Sequence, residues 1–118
     1  MRSTWTVIAV FVAALVLIGG VGYGADKEMN GQQLYKSYCK TCHGANSPNG
    51  EYTPMTLIEA QWTRFFEKKY ARTHTELVDT HHDNKTLSDV ITPEMLEKVR
   101  TFAVDHAADS EHPMTCGN

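Results

Sequence analysis

Three stretches of the chain repeat apolar residues at helical spacing. In NGQQLYKSYC, residues 30–39, Leu34 and Tyr38 lie four apart with Tyr35 beside them, and Asn30 stands where an N-cap belongs. In TLIEAQWTRFFEKKYA, residues 56–71, the residues Ile58, Trp62, Phe65, Phe66 and Tyr70 form a wide apolar stripe, with Glu59, Arg64 and Lys68 elsewhere. That pattern predicts a core-facing helix. The third stretch opens TPEMLEKVRTFAVDHAAD, with Thr92 as cap and Pro93 at the first helical position. Leu96, Val99, Phe102, Ala103 and His106 recur on one side of it, and Met95 is expected in the core. Two polar connections, HGANSPNGEYTP and THTELVDTHHDNKTLSDVI, separate the three. No alternating strand pattern competes, so the predicted fold is all-α.

The amino end changes the picture of where this domain works. One basic residue, Arg2, precedes an uncharged run from Trp5 to Tyr23, then small residues, then the first acid at Asp26. This is the layout of a secretory signal. The predicted organisation is a signal peptide over 1–24, or an uncleaved anchor, followed by one domain over 25–118. Both versions place the domain in the periplasm or elsewhere outside the cytoplasmic membrane, touching a membrane only through the amino-terminal segment if that is retained. Charge adds an exclusion. The formal net charge is −3, and losing Arg2 takes it to −4, with no Lys/Arg-rich run that would favour nucleic acid as a partner. A mature domain of this size with short helices and long connections buries a thin core, which asks for another component to complete it.

Candidate chemistry gathers in CKTCHG, residues 39–44. Structural zinc wants four protein ligands, and Cys116 with scattered histidines forms no second C-x-x-C. A redox dithiol of the thioredoxin kind sits at a strand-to-helix turn, and no strand is predicted. The third chemistry is covalent haem. In C-x-x-C-H two sulfurs can add to the two vinyl groups of one porphyrin, while the adjacent histidine is delivered beneath the iron. Cys39 and Cys42 are then the thioether anchors and His43 the proximal ligand. Gly44 is expected to let the backbone turn away close under the ring.

With its preceding helix, GQQLYKSYCKTCHG, residues 31–44, resembles the opening of class I cytochromes c. The resemblance extends loosely over residues 30–107 and implies a small cytochrome c-like helical domain wrapped around one covalently bound haem c. It implies that Gly31 lies where the first and last helices cross, that Phe102 meets Leu34 and Tyr35, and that the Pro54 carbonyl accepts the Nδ1–H of His43. By the same resemblance the chain is expected to be no enzyme but a carrier of single electrons between membrane or periplasmic redox partner proteins, docking transiently. The alternatives are a haem enzyme or gas-binding sensor with an open distal site, or a haem subunit of a membrane oxidoreductase.

The sixth iron ligand is where the pattern departs. The family supplies a methionine from the loop before the last helix, and no methionine lies between Met55 and Met95 here. His81 and His82 suit the role by their place in that loop, and His74 suits it if the aromatic helix ends over the ring. Met114 in HPMTCG could reach iron if the tail folds back, and Met55 or an open site completes the set. Histidine would lower the reduction potential relative to methionine. Cys116 is left for an intermolecular disulfide, a weak haem ligand or no role at all.

Overall fold

The computed structural model describes residues 28–115. The predicted signal peptide or anchor, residues 1–24, and Cys116 lie outside the described residues. Among those described, the chain is a small, mostly helical domain, and no helix is long and apolar enough to cross a membrane.

Helix α1, Gly31–Leu34, starts where the sequence places its cap. The Asn30 side chain accepts from the Gln33 N–H at 2.9 Å, and the Gln33 side chain accepts from the Asn30 N–H at 3.0 Å, so each satisfies an amide that the first turn would leave bare. The helix continues through a π-helical turn, Tyr35–Cys39, into α2, Lys40–His43. After a short 3-10 turn, Pro54–Thr56, come α3, Glu59–Lys68, and α4, Tyr70–His74. The periodicity over 56–71 predicts one helix, but the backbone breaks at Lys69, whose φ of −112° departs from helical values. Ile58, at the head of the predicted stripe, is the exposed residue before α3, and Gln61 accepts its N–H at 3.1 Å.

The all-α expectation meets one departure, a two-residue antiparallel pair. In it β1, Val78–Asp79, faces β2, Lys85–Thr86. Asp83 and Asn84 both take the left-handed conformation, at φ 59° and 54°, and Lys85 N–H bonds to the His82 carbonyl at 3.3 Å. Two central residues with positive φ make the turn that suits strand twist, and Asp and Asn are the side chains that tolerate it. Helix α5, Leu87–Val90, follows. Helix α6, Pro93–Asp105, then opens with the Thr92 side chain accepting from Met95 N–H at 3.2 Å.

Two apolar clusters hold these elements. Leu34, Tyr38, Met95 and Val99 pack where α1 and the π turn meet α6; Trp62, Ala103 and Ala107 pack where α3 meets it. Phe66 touches both clusters and joins them. The crossing of α1 and α6 needs glycine at 31: a Cβ there would stand 2.2 Å from the Lys98 carbonyl oxygen and 2.7 Å from the Phe102 Cβ. The expected aromatic seam is present, with the Tyr35 and Phe102 rings 5.7 Å apart. This frame fixes the helix that carries the two cysteines.

Candidate functional site

The π turn ends on Cys39, and α2 places Cys42 and His43 one turn further on. Isolated π turns often sit at functional sites, and this one runs into the first cysteine of the motif. Burial, and then the neighbouring Cys42, pushes the Cys39 thiol up to about 12. Burial followed by the charge on Cys39 does the same for Tyr35 and Tyr70, each also at about 12, with Glu51 adding to the effect on Tyr35. Two tyrosines from different elements therefore feel one sulfur. Burial disfavours the ionised form of this thiol.

Beyond His43 the chain folds back and ties the end of α2. Ser47 Oγ donates to the Cys42 carbonyl, Asn49 Nδ2 approaches the same oxygen at 3.4 Å, and Tyr52 N–H donates to the His43 carbonyl at 3.1 Å. These bonds satisfy carbonyls that a helix end leaves open. Gly50, at φ +88°, completes the reversal and presents its own carbonyl to His43 Nδ1 at 3.0 Å. A carbonyl can only accept, so His43 carries its proton on Nδ1 and leaves Nε2 with a lone pair.

The acceptor is thus Gly50 and not the expected Pro54. Pro54 is fully buried and its carbonyl is already taken by Trp62 Nε1–H at 2.8 Å, a bond that anchors the 3-10 turn to α3. Gly44 also acts differently from expectation. Its φ of −77° suits any residue, and glycine matters there because a Cβ would lie 2.9 Å from the Lys40 carbonyl oxygen.

The candidate distal residues separate cleanly. His74, the last residue of α4, comes to His43, their ring centres 6.0 Å apart and their planes at 46°. It stacks on Tyr70 at 4.8 Å and meets the edge or face of Phe65 at 5.7 Å. Its Nδ1 lies 2.7 Å from Thr73 Oγ1, and that hydroxyl spends its own hydrogen on the Lys69 carbonyl at 2.9 Å. Nδ1 of His74 is therefore the donor, and its Nε2 also keeps a lone pair. Burial, then the neighbouring His43, lowers the pKa of His74, against a hydrogen bond to the Tyr70 backbone that raises it.

His81 and His82 are engaged elsewhere. Asp79, with its carboxylate 1 % exposed, receives His81 N–H at 2.9 Å and His82 Nδ1 at 2.6 Å, and the His82 ring stacks on Tyr38 at 4.3 Å. Met114 lines a cleft with Met29, Phe102 and His106, held there by its N–H to the His106 carbonyl at 3.1 Å. Met55 is exposed and Met95 lies in the core, as its place in the helix predicts. The residues that sequence reasoning missed are Gly50, Tyr52, Tyr70 and Thr73. Tyr70 carried a usable signal, standing four before His74 on one helical face.

Among the described residues no group of three or more His, Cys, Asp or Glu could hold a metal ion. The expectation of a metal-binding chain is corrected to that extent: the described side chains by themselves do not assemble an ion site. No known protein-family profile matches the chain, and no solved structure matches it. The chain is 29% identical over 68 residues to the ATP-dependent Clp protease adapter protein ClpS of Gluconobacter oxydans, a stretch covering 58% of this chain and 57% of the adapter. The chain thus spans little more than half of that relative's length, and this degree of likeness does not make it a member of the adapter's family. It does overturn the expectation of a carrier of single electrons between redox partners. That relative is a protease adapter and not an electron carrier.

Proposed function

We propose that the domain binds one haem c covalently, through thioether bonds from Cys39 and Cys42, with His43 as an axial base. The observation that carries this reading is the state of His43: it directly follows the second cysteine and is held by a backbone carbonyl on Nδ1, with Nε2 left as a free donor. A backbone partner on the second ring nitrogen is what fixes the tautomer and basicity of a metal-bound imidazole. The residues fit the group in a second respect. Tyr35, Tyr52, Tyr70 and Phe65 supply aromatic surface around the cysteines and the two imidazoles, suited to a flat apolar macrocycle.

Attachment needs only addition. Each thiol adds across one vinyl group, the sulfur bonding to one carbon and the thiol hydrogen passing to the other, with no change in oxidation state overall. Burial that keeps Cys39 protonated keeps it from side reactions as a thiolate. Bound haem supplies an iron centre; the chain supplies its anchors, an oriented base and shelter from water. The domain so described is a binding module and catalyses no reaction.

Coexpression with haem-attachment machinery tests this reading. An alkaline pyridine spectrum of the acid-washed protein should show haem joined by two saturated linkages, and Cys39→Ser or Cys42→Ser should shift it to one. A colourless wild-type protein would contradict it.

The likeness to the protease adapter favours a second reading, a module that docks on a protein partner. Fluorescence anisotropy of the labelled chain titrated with an ATP-dependent Clp protease checks it; saturable binding supports docking, and an unchanged signal removes it.

A further inference from the structure

Resting on the haem-attachment reading, we infer that His74 is the second axial ligand, so that iron would be closed between two imidazoles. Three independent observations converge on it. The first is spacing. A metal–imidazole bond is about 2.0 Å, and ring bonds near 1.33 Å put the ring centre roughly 1.1 Å behind the nitrogen. Two imidazoles on opposite sides of one metal therefore have centres about 6.2 Å apart. The observed separation is 6.0 Å.

The second observation is proton placement. Both rings hold their hydrogen on Nδ1, one against the Gly50 carbonyl and one against a Thr73 hydroxyl whose own hydrogen is committed to Lys69. Among the described residues neither Nε2 has a hydrogen-bond partner. Neither Nε2 is a buried unsatisfied atom, and each keeps a solvent-accessible lone pair available to a metal. Two nitrogens are too few for an ion held by protein alone, consistent with the lack of a larger donor cluster. A porphyrin brings the other four donors with the metal, so two are what such a group requires of the chain.

The third observation is how His74 is held. Stacking on Tyr70 with planes only 9° apart, and the perpendicular contact with Phe65, fix the ring on two sides. The 46° between the imidazole planes is compatible with the assignment, because each plane contains its own nitrogen–metal axis and twist about that axis is free. The competing histidines lack this juxtaposition. His82 is bonded to Asp79 and stacked on Tyr38, and His81 leans on the same carboxylate, 3.6 Å away.

The test is the low-temperature paramagnetic resonance and near-infrared spectrum of the ferric holoprotein, with variants. Wild type should be low-spin with bis-imidazole character and slow to bind carbon monoxide when reduced. His74→Ala should become high-spin, and added imidazole should restore the low-spin signal; His74→Met should gain a methionine–iron charge-transfer band. A double His81→Ala, His82→Ala variant and Met114→Ala should keep the wild-type spectrum. A covalently haem-loaded His74→Ala that stays low-spin without imidazole, or a methionine band in wild type, overturns the inference while leaving haem attachment intact. Wild type without covalent haem overturns both, and the pyridine spectrum tells the two failures apart.

Discussion

Two of the places where this domain brings histidines together differ in what the neighbours do to the nitrogens. At His43 and His74, neutral acceptors take the Nδ1 hydrogens and the ring centres lie 6.0 Å apart with their planes tilted by 46°. At His81 and His82 the organiser is a buried carboxylate, which gathers a backbone amide and a ring nitrogen and pins a tight turn against Tyr38. The first arrangement sets two imidazoles beside each other; the second ties Nδ1 of His82 and the His81 amide to one carboxylate. Residue type does not separate them. What separates them is whether a partner stands across from the free nitrogen.

The largest expected effect lies in the first region. A Cys39→Ser, Cys42→Ser double variant should lose all covalently retained haem on a denaturing gel stained for peroxidase activity, while helical circular dichroism of the apoprotein is retained. Persistent staining would break the distinction between a site built for attachment and one built for structure.

Gly31→Ala comes next and probes the frame beneath the motif. Its Cβ would collide with backbone at Lys98, so the helix crossing must open, a destabilisation of about 1–3 kcal/mol expected from overpacking. Urea unfolding should show the loss, and a midpoint equal to wild type would mean that the crossing yields freely.

His82→Ala sharpens the comparison from the other side. It should cost about 1–3 kcal/mol by leaving the Asp79 carboxylate short of a partner, yet leave the haem spectrum of the holoprotein unchanged. A spectral change would make the second cluster part of the site.

The smallest effect is in the acid range. Burial alone would raise the pKa of Asp79, but hydrogen bonds from the His81 amide and the His82 ring, with the charges of His82 and His81, bring it below its ordinary 3.8. A carboxylate depressed in the folded state stabilises it above the unfolded pKa, and that contribution fades as pH falls below 3.8 toward the lower folded value. Asp79→Asn should therefore flatten the acid limb of stability against pH. Urea midpoints taken on either side of that value check this, and parallel slopes for the two proteins would contradict it.

Much of the frame was legible in the residues because it rests on local rules. Asn30 and Thr92 cap where their side chains can reach an amide three residues on, and Leu34, Tyr38 and Val99 recur on faces that bury. Gly31 and the C-x-x-C-H spacing were equally readable. The π turn, the break at Lys69 and the substitution of Gly50 for Pro54 were not, because each depends on how a loop returns through space. Asp83-Asn84 did carry a turn signal, overshadowed by the histidines beside it. Loop position favoured His81 and His82 over His74, yet Asp79 claims the former pair, a competition that sequence spacing does not express. Function was the least legible level: the electron-carrier expectation drawn from the resemblance gave way to a similarity with a protease adapter.

Covalent haem at Cys39 and Cys42 is tested most directly by the intact mass of the purified, denatured protein made alongside haem-attachment machinery. One haem added to the wild-type polypeptide, and none to the Cys39→Ser, Cys42→Ser variant, is the expected result. A wild-type mass equal to the bare polypeptide would contradict it.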